Sequence, residues 1–98
     1  MATYVVLANF TDQGLRAIKD SPQRAEVLKA LAEKSGVKVR DIFWTFGQTE
    51  IVVAIAESDN DVAVTALTLA ISQLGNVKAQ TLRAYDANEI REIISKMP

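Results

Sequence analysis

The chain is predicted to fold as a single α+β domain over residues 1–98, with a four-stranded antiparallel sheet. Three observations predict this class. Four short segments are rich in β-branched and aromatic residues. One stretch with apolar residues at helical spacing lies between the first and second segments, and another lies between the third and fourth. The second and third of these segments are joined by only a few residues. So short a connection indicates antiparallel neighbours, because parallel strands need a longer crossover.

The first half of the chain is predicted to form a strand, two helical segments and a second strand. Residues 4–10 are the first strand, and Thr11 is placed to cap the short helix that follows. Ser21 is predicted to cap the next helix, because the proline after it suits the first helical position. Gly36 is expected to end that helix in a left-handed conformation, before a strand over residues 37–46.

The second half of the chain is predicted to form a strand, a helix, another strand and a final short helix. Residues 51–56 are an unbroken apolar run, which predicts a third strand buried on both faces. Ser58 and the acid three residues later, Asp61, together resemble a capping box for a helix that ends at Gly75. A fourth strand over 77–85 is followed by a second cap-like pair, Asp86 and Glu89. The final short helix carries four apolar residues at helical spacing: Ile90, Ile93, Ile94 and Met97.

The order β-α-β-β-α-β-α is that of the ferredoxin-like arrangement with an added C-terminal helix. Helices would cover one face of its sheet. The first and third predicted strands lack the polar alternation of a solvated face, and no spare segment of the chain remains to cover the other face. We therefore expect copies to pack sheet to sheet as a dimeric α+β barrel, alone or within a larger ring. The alternative is a monomer with a modest apolar patch.

Composition narrows the chemistry mainly by exclusion. The chain has no cysteine and no histidine, so disulfides, thiolate nucleophiles, imidazole bases and metal sites built on those side chains are excluded. Eleven basic residues against twelve acidic ones give a net charge of −1, and the basic residues are scattered singly, so nucleic-acid binding is not expected. No membrane-spanning run and no signal peptide is visible, which predicts a cytoplasmic location.

One acidic pattern resembles a metal loop. Glu57, Asp59 and Asp61 alternate like the first ligands of a calcium loop, but the glycine and the distal glutamate of such loops are missing. Acids at a helix start are sufficiently explained by the helix dipole. Neither a metal nor another cofactor is expected.

Five polar or aromatic side chains on or beside the predicted strands are candidates to line a cavity between subunits. Small cofactor-free oxygenases of this fold hold planar substrates with such residues, although this is an analogy of fold only. The alternative is that they are interface anchors or partners in ion pairs. The ligand-binding candidates are Asn9, Trp44, Glu50, Arg83 and Tyr85, and Thr81 lies on the same predicted strand as Arg83.

Four segments in register carry a family resemblance. They are YVVL at 4–7, FTDQG at 10–14, FGQTEIVV at 46–53, and GNV followed by TLRA within 75–84. Together they resemble the GYD-domain family from residue 4 to about residue 93. The resemblance implies a ferredoxin-like, dimeric α+β-barrel fold and an oligomer, but little about activity.

The chain departs from the family pattern at the turn that gives the family its name. In place of Gly, Tyr and Asp it has the turn motif Gly47, Gln48, Thr49 and Glu50. Thr49 stands where the tyrosine would be, and Glu50 where the aspartate would be. A family site centred on that tyrosine would therefore be absent or altered in this chain.

Two functions fit these observations. The first is a small oligomeric binding or regulatory module whose partners are other copies of itself and a small molecule. The alternative is a cofactor-independent, oxygenase-like enzyme that acts on a small hydrophobic or aromatic molecule in a cavity between subunits. The lack of an obvious catalytic group favours the binding module.

Overall fold

The computed structural model describes residues 1–98 and contains the predicted elements in the predicted order. A short 3-10 turn, Ile18–Asp20, joins the first two helices. The strands are β1 (Ala2–Phe10), β2 (Lys38–Thr45), β3 (Ile51–Ser58) and β4 (Val77–Ala84). The helices are α1 (Asp12–Arg16), α2 (Ser21–Lys34), α3 (Asp61–Gln73) and α4 (Ala87–Ser95). The α+β class and the added C-terminal helix are therefore confirmed.

All four strands belong to one antiparallel sheet in the order β2-β3-β1-β4. β1 lies in the interior of the sheet, where Val6 is opposite Ala54 on one side and Thr81 on the other. The edge strand β2 has an irregularity in its pairing with β3 between Val39 and Asp41. This order places the two strands of each βαβ half beside a strand of the other half, as the ferredoxin-like arrangement requires.

The two faces of the sheet differ in what covers them. Side chains of a strand alternate between faces, so one set faces α2 and α3 and the other set faces away. We call these the helix face and the open face. The apolar residues of the open face, here the open-face patch, follow from the register: Val5, Leu7, Phe43, Ile51, Val53, Ile55 and Leu82. The side chain of Phe43 is 59% exposed and that of Leu82 is 48% exposed.

Two of the predicted helix caps are confirmed. Thr11 Oγ1 accepts a hydrogen bond from the backbone N–H of Gly14 at 3.1 Å. Asp86 and Glu89 form a reciprocal capping box at the start of α4: Glu89 N donates to Asp86 at 2.8 Å, and Asp86 N donates to Glu89 at 3.1 Å. Both satisfy backbone donors that a helix start otherwise leaves free.

The predicted caps at Ser21 and Ser58 are wrong. The cap position of α2 is Asp20, and the hydroxyl of Ser21 instead accepts from the Trp44 indole at 2.9 Å. The cap of α3 is Asn60, whose side chain accepts from the third residue of the helix. Ser58 Oγ donates to the Gly36 carbonyl at 2.8 Å. Each serine is occupied by a tertiary hydrogen bond that the local sequence does not reveal.

The turn after β1 is joined to the turn before β4 by a set of hydrogen bonds that we call the turn clasp. Thr11 N donates to the Asn76 carbonyl at 3.1 Å, and Thr11 Oγ1 donates to the Gly75 carbonyl at 2.6 Å. The Gln13 amide donates to the Asn76 side chain at 3.1 Å. A Cβ on Gly14 would overlap the Asn76 carbonyl oxygen, so glycine is required for this close approach.

The most deeply buried side chains lie towards one end of the helix face. Tyr4 and Ala56 lie on the two central strands, and Ala32, Val37 and Val64 pack against them from α2, the segment after it and α3. α2 packs mainly on β2, and α3 packs mainly on β4. Because β2 and β4 are the edges of the sheet, the two helices straddle its central strands. The longest helix, α2, has 14 residues and is too short to span a membrane.

Candidate binding sites

An apolar cavity of about 440 Å³ lies between the two long helices and the sheet. Val6, Ala8, Val52 and Ala54 of the central strands line it from the sheet side. Two of these four are alanines, so the sheet does not fill the space between the straddling helices. The helices supply apolar walls that include Val27, Leu28, Leu31, Leu67, Ile71 and Leu74. A volume of this order is typical of small-molecule sites.

Polar groups line the cavity where α2 begins. Ser21 is 6% exposed and accepts from Trp44 Nε1, and both residues line the cavity. Arg24 lies one helical turn further along α2 and donates through Nη1 to the Ala17 carbonyl at 3.1 Å. Arg24 forms no ion pair. Asp20, exposed at the same helix start, also borders the cavity.

A second candidate surface is the apolar stripe of α4. Ile90, Ile93 and Ile94 follow one another at i, i+3 and i+4 and therefore lie on one side of the helix, and Met97 follows at i+7, two residues beyond the helix end. They are between 41% and 66% exposed, and α4 has no extensive packing contact with the other elements. The capping box holds the start of the helix. α4 thus presents an ordered apolar face without a partner in the protomer.

The predicted site residues lie in separate places. Trp44 borders the cavity. Arg83 lies away from the cavity. Its guanidinium carbon is 4.4 Å from the centre of the Tyr85 ring and 5.7 Å from the centre of the Tyr4 ring. The same guanidinium pairs with Glu89 at 3.1 Å. Arg83 and Tyr85 therefore join β4 to the first turn of α4, and neither residue lines the cavity.

The remaining candidates lie near the β2–β3 hairpin. Asn9 is exposed on β1 opposite Ile51, and Glu50 is an exposed residue whose carbonyl accepts from Phe10 N at 3.2 Å. The turn motif at 47–50 is exposed throughout, with Gly47 at φ 127° as its conformation requires. Glu50 therefore lacks the desolvation that would suit a catalytic carboxylate. Thr81 faces α3, where its hydroxyl meets that of Thr68 at 2.5 Å.

The three acidic residues between the end of β3 and the start of α3 make separate contacts. Glu57 pairs with Arg40 at 3.6 Å, and Asp59 pairs with the N-terminal amino group at 3.7 Å. Asp61 lies in the first turn of α3. No group of three acidic side chains converges to hold a metal ion.

The cavity and its polar end are not among the sequence predictions. A signal for the cavity is present, because the small residues Ala8 and Ala54 lie on the helix-facing side of the two central strands. No comparable signal marks Ser21 and Arg24, since their role depends on where α2 lies on the sheet.

Comparison with known proteins agrees with this fold. The profile of the GYD domain matches residues 4–94. The chain belongs to the GYD domain family. A second member of similar length, the "glutamine synthetase and cystathionine beta-lyase binding protein" of Thermus thermophilus, is 31% identical over 91 residues. The alignment covers 92% of this GYD chain and 95% of that protein.

A solved structure supports the fold of this GYD chain independently of sequence similarity. It is a dimeric ferredoxin-like protein from an uncultured marine organism, with a TM-score of 0.51 at 13% identity. The superposition covers 89% of the GYD chain and 95% of the other chain. The ferredoxin-like class and the family resemblance predicted from the sequence are both confirmed.

Proposed function

We propose that this GYD chain is a single-domain, homodimeric protein-binding module that regulates a metabolic enzyme by docking on it. Two copies pair through their open faces, and α4 of each copy binds the enzyme. The observation that carries the proposal is the apolar stripe of α4, which is capped, ordered and unpartnered in the protomer.

Pairing of two copies is supported by the open-face patch. Val5 and Leu7 of β1 lie beside Val53 and Ile55 of β3 at the middle of the sheet. Such a contiguous apolar surface is unusual on a monomer and typical of an interface. Charged and polar residues surround it, with Lys38 and Glu57 opposite each other at one end and Lys78 beside Asn9 at the other. An apolar centre with a polar rim is the usual anatomy of a protein interface.

Docking of α4 on a partner is supported by its spacing and by the relative. Amphipathic helices bind apolar grooves of other proteins through anchors at i, i+3, i+4 and i+7, and α4 supplies the first three of these as Ile90, Ile93 and Ile94. The Thermus relative is named for binding glutamine synthetase and cystathionine β-lyase. By transfer from that relative, we take an enzyme of nitrogen or sulfur amino-acid metabolism as the partner class.

The oxygenase-like alternative has less support. Its candidate residues lie in three places in the protomer: Trp44 at the cavity, Arg83 and Tyr85 at the start of α4, and Asn9 with Glu50 near the hairpin. Only the last pair lies near the open face, where two copies would meet. Within one protomer, this arrangement does not bring a substrate-holding set into one cavity.

The test uses the purified full-length chain with glutamine synthetase and, separately, cystathionine β-lyase from its own organism. The variant Ile93→Ser/Ile94→Ser removes the middle of the stripe. We expect it to weaken enzyme binding at least about 100-fold, because two isoleucines that the complex would bury are lost. Biolayer interferometry measures this affinity. The matched control, Arg91→Ser/Glu92→Ser, changes neighbouring residues outside the stripe and keeps the net charge, and it should bind normally.

Light scattering on the same variants separates the two halves of the proposal. The mass of the Ile93→Ser/Ile94→Ser variant should remain that of a dimer. Binding to neither enzyme, or equal binding by both variants, would contradict the docking role of α4. Conversion of this variant to monomer would show that α4 belongs to the dimer interface instead.

A further inference from the structure

We infer that the cavity between α2, α3 and the sheet is a binding site for an apolar monocarboxylic acid. The carboxylate would lie at Arg24 and Ser21, and the apolar body would extend over Ala8 and Ala54. This inference concerns the helix face of one protomer. It is independent of the open face and of α4, on which the proposed function rests.

The shape of the cavity favours an apolar ligand body. The central strands contribute two small side chains, Ala8 and Ala54, to the lining of the cavity. Nineteen of the 26 residues that line the cavity are hydrophobic. Such an apolar space holds water poorly, so a hydrocarbon body of matching size gains free energy by entering it.

The polar end supplies donors for one acceptor group. Ser21 is 6% exposed, and its oxygen makes a single hydrogen bond, as acceptor from Trp44 at 2.9 Å. Its own hydroxyl proton makes no hydrogen bond within the protomer, so the hydroxyl can still donate to a ligand. Arg24 uses one N–H for the Ala17 carbonyl and keeps its other donors. Ser21 and Arg24 are three residues apart on α2, so they lie on the same side of the helix.

The charges around the cavity favour an anion over a neutral head group. The ionisable side chains that line it are Asp20, Arg24 and Lys29, which is one negative charge against two positive ones. None of the three forms an ion pair. A carboxylate bound by a guanidinium forms charge-assisted hydrogen bonds, which are stronger than those of a neutral acceptor. The negative charge of Asp20 opposes this binding in part, but Asp20 is exposed to solvent, which screens it.

The structure provides its own reporter for the test. Trp44 is the only tryptophan of the chain and lines the cavity, so its fluorescence reports occupancy. The probes are decanoate and decanol, which share the apolar body and differ in charge. We expect decanoate to quench or shift the emission of Trp44 in a saturable manner. Calorimetry should confirm one-to-one binding. Decanol should bind about tenfold more weakly than decanoate.

Two pairs of variants test the two ends of the site. Arg24→Gln should weaken decanoate binding about tenfold and leave decanol unchanged, whereas Arg16→Gln, at an exposed arginine outside the cavity, should change neither. Ala54→Leu fills the cavity and should abolish binding of both probes. Its matched control, Ala30→Leu, makes the same change on the exposed side of α2 and should bind normally. Far-UV circular dichroism identifies any variant that does not fold.

Three results would overturn the inference. One is the absence of saturable binding of decanoate to the folded full-length chain. Another is equal affinity for decanoate and decanol together with no effect of Arg24→Gln, which would show that the carboxylate of the ligand does not contribute to binding. The third is binding that appears only in the Ile93→Ser/Ile94→Ser variant, which would identify α4 of a second copy as the occupant of the cavity.

Discussion

The helix face and the open face of the sheet are built by the same strands but carry side chains of different size. On the central strands, the helix face has Ala8, Ala54 and Ala56, whereas the open face has Leu7, Val53 and Ile55. At the middle of the sheet the face that no helix covers therefore carries larger apolar side chains than the helix face, whose large residues Tyr4 and Phe10 lie towards the two ends of β1. The face that two helices cover encloses a cavity of about 440 Å³ instead of a filled core.

This difference indicates that the two faces have different tasks. Burial of apolar area is the main favourable term in folding, and larger side chains contribute more of it. In this chain much of that potential lies on the open face, and the proposed dimer would realise it by covering this face with a second copy. The helix face keeps the protomer folded through a small cluster around Tyr4 and Val64 and leaves space for a ligand.

The largest effect is expected from a charge in the open-face patch. Val53→Asp would place an unpaired carboxylate at the centre of the proposed interface and weaken dimerisation by about 4 kcal/mol. Light scattering over a dilution series should show the mass change from dimer to monomer. The control is Val62→Asp, because Val62 is 73% exposed in the first turn of α3 and should keep the dimer. A Val53→Asp protein with the dimer mass would exclude pairing through this face.

Truncations on the two faces should differ in their dependence on concentration. Val64 is 2% exposed within the protomer, so Val64→Ala should lower the free energy of unfolding by about 2 kcal/mol at any protein concentration. Val53→Ala should lower the stability mainly through the dimer, and its cost should therefore depend on protein concentration. Urea unfolding at two concentrations measures both. Equal concentration dependence for the two variants would remove the distinction between the faces.

Filling the cavity should stabilise the helix face. Ala54→Leu adds apolar atoms where the structure has room, and we expect the free energy of unfolding to rise by about 1 kcal/mol. Ala30→Leu on the exposed side of α2 should change stability by less than about 0.5 kcal/mol. Thermal and urea unfolding of both variants give the comparison. A large loss of stability in Ala54→Leu would mean that the helices cannot accommodate the added side chain.

The smallest effect is expected from α4, which belongs to neither face. Asp86→Ala removes the cap of its first turn and should cost α4 about 1 kcal/mol of local stability. Hydrogen exchange should accelerate over residues 90–95, while the exchange of β1 and β3 amides stays unchanged. Faster exchange in the central strands would show that α4 contributes to the packing of the sheet.

The sequence pattern was sufficient to predict the helices and strands and their order, because each element follows from local periodicity and turn chemistry. Gly36 and Gly75, for example, have the positive φ expected of residues after a helix. The errors at Ser21 and Ser58 have one physical cause: distant groups, the Trp44 indole and the Gly36 carbonyl, use these hydroxyls. The predicted site residues Trp44 and Arg83 lie apart in the protomer, because a pattern along single strands does not fix the distance between residues of different strands.

The position of β1 has a consequence for how the chain is made. β1 is synthesised before β3 and β4, yet it lies between them, and the turn clasp joins residue 11 to residue 76. Each edge of β1 therefore stays unpaired until its partner strand has left the ribosome, and the edge that pairs with β4 waits longer. Exposed strand edges are prone to pair with other chains, and domains generally complete their folding as units during synthesis. Slow translation of the stretch before β4 would prolong that exposed state, and aggregation of nascent chains would rise with it.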